Sequence, residues 1–424
     1  MTPNLMRTID QVFGPPLCWL LSMAYRLFSF RRARQAYPVR HVRRMLFIKP
    51  AEMGSTILIC PALRRVKELW PECEVFFLVF SDNRSAVDLL PDVPPGNVYE
   101  IRSDTFFNFL FDSVRQIFRL RRLRFDVAVD LEFYSRGAAI LTALAGARYT
   151  SGFERYTMEG LYKGSMLTHP VQYNCHMHTA FSFKTLIDAL AVDKPQLPLV
   201  KIPVSGKGSP ALPSFCPAPS EKEAVWKLIK AANNRVSAGS RLVILNTNAS
   251  DLMPLRKWPL ENYVSLARML LQEPDVFIVL TGVASEAGKA EEIGKTIGLE
   301  RVVNLAGRTS LRGLVTLYTL SALMVTNDSG PSHFAALTDM PAITLFGPET
   351  PEIYGPIGHS KVAIVSNLAC SPCVSSYNHR RSPCNDNECM RSITVECVWD
   401  ACKNLLSKEN GRAVGKLLPL KQIK

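Results

Sequence analysis

Short, almost wholly apolar runs recur along this chain, each closing on polar or turn-forming residues, and they come in two blocks. In the first block MLFIKP (45–50), VFFLVF (75–80) and DVAVDL (126–131) read as strands, with TILICPALRRVKELW (56–70) as a helix. In the second, LVILNTN (242–248), VFIVLTG (276–282), LMVTND (323–328) and AITLFG (342–347) read as strands separated by helical stretches. Strands that are apolar throughout are buried on both faces, and strands that alternate with helices run parallel. The pattern predicts an α/β protein of two Rossmann-like domains facing across a cleft, with ligands at the carboxyl ends of the strands. A length of 424 residues also exceeds what one core ordinarily holds. The expected division is a basic segment 1–44, a first Rossmann-like domain 45–203, a linker 204–240, a second Rossmann-like domain 241–366, and a Cys-rich segment with a closing helix 367–424. The linker is placed on the Pro-, Gly- and Ser-rich stretch VSGKGSPALPSFCPAPS (204–220).

The net charge of +13 is unevenly spread: residues 1–50 hold nine Lys or Arg against Asp10 alone. Such a balance suits nucleic acid, an anionic membrane or phosphorylated substrates. No zinc-finger or RNA-recognition signature accompanies it, so nucleic acid ranks last. The segment GPPLCWLLSMAYRLFSFRRARQ (14–35) predicts a helix from Leu17 to Phe30, about 21 Å long and short of a roughly 30 Å hydrocarbon core. Pro15-Pro16 are expected to block its extension upstream. An amphipathic interfacial helix is favoured over a docked soluble one and over a true membrane span, with Trp19, Tyr25 and the basic run Arg31-Arg32-Ala33-Arg34 at headgroup level. No small-residue cleavage site follows it, so a signal peptide is not expected. Eleven cysteines, an odd number, with Cys60 and Cys73 in or near apolar runs, point to reduced thiols and a reducing compartment.

The stretch TNDSGPSH (326–333) falls between an apolar run and a helix start. Free N–H groups at a helix start favour an anion such as a phosphate, Gly330 lets the backbone approach it, Ser329 adds a hydroxyl, and Pro331 suits the first turn. Asp328 would be repelled by a phosphate unless it reaches past it to sugar hydroxyls. The alternative is a plain turn with Asp or Ser as the N-cap. His333 reads equally as a donor contact or as a packing residue. A second Gly/Pro-rich loop, FGPETPEIYGP (346–356), follows the next strand, and NTNASDLMPLRKWPLENY (246–263) sets Arg256 and Lys257 before Trp258-Pro259.

With LTGVASEAGKAEEI and NLAGRTSLRGL between them, these segments resemble glycosyltransferase family 9, the heptosyltransferases of lipopolysaccharide assembly. The resemblance is specific over about 241–356 and looser through FIKPAEMGSTILICPALRRVKELWP and FDVAVDLEFYSRGAAILTALAGARYTSGF. It implies a GT-B fold and inverting, metal-independent transfer of a sugar, heptose by analogy, from a nucleotide diphosphate donor to a glycolipid acceptor. It implies too an enzyme peripheral on the cytoplasmic face of a bacterial inner membrane, with no cofactor. By match of motif Asp328 would hold sugar hydroxyls, while Ser329, Gly330 and Pro331 would cradle the diphosphate. Arg256 or Lys257 would neutralise the leaving group, and NLAGRTSL (304–311), with Thr309, would line the nucleotide pocket. No two aspartates lie two apart, so there is no DxD-type metal site; helix N–H groups and cations must meet the phosphate charge.

The departure lies in the first domain, where the family usually places Gly-Asp and takes the aspartate as base. Here the pair is Gly54-Ser55. Glu52 on the same loop is the candidate base, with Asp130 and Glu132 in reserve. Rival readings are a catalytically silent nucleotide-sugar-binding protein and a nucleotide-sugar epimerase on the same fold. Arg115, Arg119 and Arg122 stand at helical spacing and suit acceptor phosphates, the membrane, or a merely solvated face. Cys370, Cys373, Cys384 and Cys389 allow a structural zinc or disulfides, but reduced structural thiols are the favoured reading.

Overall fold

The structure, a computed structural model, describes residues 3–29, 37–133, 135–154, 161–196, 201, 212–249, 253–358, 360–375 and 381–407. The chain divides into two compact units, Met1–Pro210 with Ser375–Arg381 and Ala211–Val374 with Ser382–Lys424. Each holds one six-stranded sheet. The first comprises β1 (Arg44–Ile48), β2 (Glu74–Phe80), β3 (Val98–Ile101), β4 (Val127–Asp130), β5 (Tyr149–Glu154) and β6 (His169–Gln172). The second comprises β7 (Arg241–Asn246), β8 (Val276–Leu280), β9 (Val302–Asn304), β10 (Leu323–Asn327), β11 (Ala342–Phe346) and β12 (Lys361–Val365).

The strand orders are β3-β2-β1-β4-β5-β6 and β12-β11-β10-β7-β8-β9. Every neighbouring pair is parallel. Both sheets therefore have the doubly wound order, and each reverses direction at one point, between β1 and β4 and between β7 and β10. Ile48 pairs with Asp130 at the first reversal and Asn246 lies beside Thr326 at the second. These two strand ends are where the topology opens a crevice for ligands.

In the first unit the helices of concern are α1 (Pro3–Ser29), α2 (Cys60–Leu69), α3 (Phe106–Leu123), α4 (Arg136–Leu144) and α5 (Thr179–Ala191). Leu46, Ile48, Phe76, Leu78 and Ala128 pack against α3 and α4, and the alternate residues Met45, Phe47, Phe77 and Val129 are equally buried. That two-sided burial is why these strands are apolar without interruption. The second unit adds α6 (Pro219–Ala232), α7 (Leu260–Leu270), α8 (Ala287–Ile297), α9 (Leu311–Thr319), α10 (Gly330–Ala335) and α11 (Val395–Leu406). Its core joins Val243, Leu245, Ile278 and Val325 to Trp258 and to Val398, Ala401 and Cys402 of α11.

Two expectations change. Pro15-Pro16 do not stop the first helix, which runs through them from Pro3. The turn before the prolines is pinned from outside: Asp10 accepts from Arg136 Nη1 at 3.1 Å and from the backbone N–H of Gly137 at 2.9 Å. A Cβ at Gly14 would stand 2.5 Å from Arg136 Cδ, so only glycine lets the helix lie this close. Cys18 and Ser22 continue the buried stripe at four-residue spacing, and the Ser165 N–H donates to Ser22 Oγ at 2.9 Å. These contacts offset the two N–H donors the prolines lack. The other change is in the segment read as linker, 204–240, which holds α6. Its Val225 and Ile229 are buried on one face against α9, and the N–H of Ala218 donates to Glu221 at 2.7 Å. Arg31, Arg32 and Arg34 lie outside the described residues, and no described helix is long and apolar enough to cross a membrane.

Lys361 opens β12 with its ammonium buried, donating to the carbonyls of Thr338 at 3.1 Å and of Met340. Burial pushes its pKa down to about 8. Between that value and the ordinary lysine value of roughly 10.4, the unfolded chain holds a proton that the folded chain has released, so stability rises with pH across this window. Below it the full cost of the buried charge is felt. Relative to Lys361→Met, the wild type is expected to gain on the order of 3 kcal/mol of unfolding free energy between about pH 7.5 and 10.5, read by urea denaturation at each pH. Parallel pH curves for the two proteins would refute this.

Candidate functional site

At the end of β10 the chain turns sharply through Asp328 and Ser329 into α10. The Asn327 side chain, fully buried, accepts from the Trp258 N–H at 2.9 Å and donates to the carbonyl of Thr247 at 3.1 Å. It thereby fastens the loop after β7 to the end of β10. Asn246 Nδ2 donates to Thr326 Oγ1 at 3.0 Å and Tyr263 Oη to the Asn246 carbonyl at 3.2 Å, fixing the same junction from below. On this platform Arg256 Nη1 lies 3.4 Å from Asp328 Oδ2 and 3.8 Å from Glu349 Oε2. The side chains of Asp328 and Glu349 are 4% and 2% exposed and that of Arg256 13%, so one guanidinium serves two nearly dry carboxylates. Arg256 Nε, also buried, has no hydrogen-bond partner among the described residues.

Ser329 is the residue before α10, but its side chain does not cap the helix; the hydroxyl donates instead to the Asn327 carbonyl at 3.1 Å. The plain capped turn is therefore not what forms here. Pro331 occupies the first turn and His333 is buried within α10. Lys257 follows Arg256, and its carbonyl accepts from Asn387 Nδ2 at 2.9 Å. Thr309 stands apart, beyond β9 at the edge of the sheet, and no described hydrogen bond or ion pair joins it to the Asp328 cluster. Its loop is shaped by Gly307, whose φ of 73° and approach to Ala284, 2.7 Å from a would-be Cβ, bring the turns after β8 and β9 together.

The first unit's reversal point is ringed by charge. Lys49 Nζ donates to Glu132 Oε1 at 2.9 Å and to the Ala51 carbonyl at 2.7 Å, and the Ala51 N–H donates to the same Glu132 oxygen at 3.0 Å. Lys163 Nζ lies 2.5 Å from Asp130 Oδ2 and donates to the Glu132 carbonyl at 2.6 Å. Burial pushes both carboxyls upward in pKa; Lys163 pulls Asp130 back, and Lys49 opposes the rise at Glu132, to which the Glu52 carboxylate adds. Asp130 and Glu132 are thus consumed by fixed ammonium partners and hold the loop after β1.

Glu52 sits on that loop in the left-handed region, at φ 61° and ψ 71°. Its side chain, 32% exposed, keeps one oxygen 3.8 Å from Lys49 Nζ. Ser55 Oγ lies 3.3 Å from Glu52 Oε2 and 2.9 Å from the Glu52 carbonyl, so the structure brings the candidate base and the serine together beside Gly54. Of the three carboxylates considered, only Glu52 is open to solvent. Lys49, Lys163, Asn246, Asn327 and Glu349 were missed by sequence reasoning. The signal for Glu349 was an acid directly after the strand-ending FGP of a Gly/Pro-rich loop, whereas the lysines carried none.

All eleven cysteines are free thiols. Cys384 Sγ donates to the Asp386 carbonyl at 2.8 Å, Cys373 Sγ pairs with Ser382 Oγ at 3.5 Å, and Cys389 is buried against Gly347. Among the described residues no three His, Cys, Asp or Glu side chains converge as metal ligands. Burial raises the pKa of Cys60, Cys73 and Cys402 to about 12, which keeps these thiols protonated and inert.

Residues 213–382 match the profile of Glycosyltransferase family 9 (heptosyltransferase), a span that contains the whole Asp328 cluster. Lipooligosaccharide heptosyltransferase 2 of Haemophilus influenzae is 23% identical over 325 residues, covering 76% of this chain and 88% of that protein. Lipopolysaccharide heptosyltransferase 2 of Salmonella typhimurium is 37% identical over 166 residues, covering 38% of this chain and 45% of that one. The solved structure of an E. coli ADP-heptose LPS heptosyltransferase II superposes with a TM-score of 0.66 at 20% identity, over 86% of this chain and 98% of that one. That likeness carries the fold, which is GT-B, with two parallel six-stranded sheets. With the family's profile lying over the switch point of the second unit, the chain is a glycosyltransferase that resembles the family 9 heptosyltransferases.

Proposed function

We propose that this enzyme transfers a heptose from a nucleoside diphosphate donor to a lipopolysaccharide-type glycolipid, by inverting, metal-independent displacement, while resting on the cytoplasmic face of a bacterial inner membrane. The observation that carries the reading is the Arg256–Asp328–Glu349 cluster beside the uncapped turn at Ser329–Gly330, inside the span that matches the family. The names of the relatives, which are heptosyltransferases acting on lipopolysaccharide or lipooligosaccharide, support the donor and acceptor classes. The second unit binds the donor: Asp328 takes sugar hydroxyls, the N–H of Gly330 with Ser329 meets the diphosphate, Pro331 and His333 shape the start of α10, and Thr309 borders the nucleotide.

In the reaction Glu52 accepts the proton of the acceptor hydroxyl, next to Gly54 and Ser55. The acceptor oxygen bonds to the anomeric carbon as the bond from that carbon to the diphosphate oxygen breaks. One displacement inverts the anomeric configuration. The negative charge arriving on the diphosphate is met by Arg256, Lys257 and backbone N–H groups, fixed dipoles and cations that need no rearrangement as the charge develops.

Nucleotide binding tests the donor half. A ligand at about 100 times its dissociation constant adds about 2.7 kcal/mol to unfolding. ADP and an ADP-sugar are expected to raise the melting temperature of the wild type. In Asp328→Ala the extra increment due to the sugar should vanish while that of ADP persists. A panel of nucleotides that leaves the wild-type melt unmoved would remove the donor site from the second unit.

A further inference from the structure

Helix α3 is apolar on both faces. Its inner face packs Phe109, Ile117 and Leu120 on the first unit's core and adds polar anchors: Asp112 accepts from Arg102 at 2.7 and 3.1 Å, and Gln116 Nε2 donates to the Glu100 carbonyl at 2.8 Å. Other phenylalanines of the helix point to solvent. Phe107, Phe111 and Phe118 are 81%, 63% and 64% exposed, with Val114 between them, and their spacing of four, three and four residues puts them in one line. A stripe this apolar on an outer face marks a partner rather than a core.

Beside that line, at helical spacing, run Arg115, Arg119 and Arg122, all exposed and without an ion pair among the described residues. The only acid of α3, Asp112, is already held by Arg102. α4 packs against both α3 and α1, and α1 shows solvent a second apolar set that includes Phe13, Leu17, Trp19 and Leu20. Phenyl rings flanked by unpaired arginines match a surface that is apolar within and anionic at its rim. We infer that α3 is a membrane-docking element in its own right, inserting Phe107, Phe111 and Phe118 below the headgroups of an anionic bilayer while Arg115, Arg119 and Arg122 bind lipid phosphates. The inference shares only the lipid surface with the proposed function and needs no donor, acceptor or catalysis.

Sedimentation of the full chain with vesicles tests it, using phosphatidylcholine alone and phosphatidylcholine mixed with phosphatidylglycerol. F107S/F111S/F118S is expected to lower partitioning onto both kinds of vesicle at least about tenfold with an unchanged melting temperature. R115Q/R119Q/R122Q should lower it only on the anionic vesicles, by about fivefold per arginine at low salt. Wild-type binding by the Phe variant would overturn the inference and leave α1 as the sole anchor. A wild type that ignores vesicles but self-associates, with the association lost in the Phe variant, would overturn it in favour of a second copy of this chain. Neither outcome touches the nucleotide-binding test, which needs no lipid.

Discussion

Replacing Glu52 by Gln is expected to lower kcat for sugar transfer by about 10²- to 10⁴-fold, the range lost when a positioned proton acceptor is removed. The thermal shift given by the donor nucleotide should stay as in the wild type, because Glu52 belongs to the first unit and the residues proposed to bind the donor to the second. Gln keeps the shape and a hydrogen-bonding oxygen near Ser55 but is not a base. Adding Ser55→Asp to the Gln variant should restore part of the rate, since Ser55 Oγ and Glu52 Oε2 are only 3.3 Å apart and a carboxylate at 55 would occupy nearly the same ground. Transfer by Glu52→Gln at the wild-type rate would show that the proton goes elsewhere. A wild type that binds donor but never turns over, with every acceptor tried, would favour the silent binding protein.

Arg256→Ala is expected to cost about 3–5 kcal/mol of stability, a large share of what holds a domain folded. The reason is what remains behind: Asp328 and Glu349 would stay buried with no shared guanidinium between them. Breaking a buried ion pair from one side leaves a charge that the interior cannot solvate. Urea denaturation with nucleotide absent measures this effect alone. Arg256→Lys should recover part of it, because a point charge can reach one carboxylate but not bridge two. A loss below about 1 kcal/mol for Arg256→Ala would mean the two carboxylates relax into other hydrogen bonds.

The central strands were legible because parallel strands covered on both faces must be apolar throughout, as in LVILN of β7 and AITLF of β11. The edge strands were not. β6 reads HPVQ and β3 reads VYEI, four residues each, with one side open and no run long enough to stand out. Pro15-Pro16 misled for a definite reason: local propensity forbids what a tertiary anchor at Asp10 allows. Asp328 and Glu52 were open to sequence reasoning because each lies in a Gly-containing turn just after an apolar strand run. Lys49 and Lys163 could not, since a lysine becomes a buried counter-charge only when a distant strand brings Glu132 or Asp130 to it.

Glu52 is held at positive φ, a conformation that favours glycine and costs a glutamate about 1 kcal/mol or more. Folding alone would therefore reward its loss. Under selection for nothing but a soluble, stable chain, drift would carry position 52 toward glycine or asparagine, each a better fit to the loop. Should transfer depend on the Glu52 carboxylate, this is a position at which stability and use pull in opposite directions: Glu52→Gly would relax the backbone and remove the acid in one step.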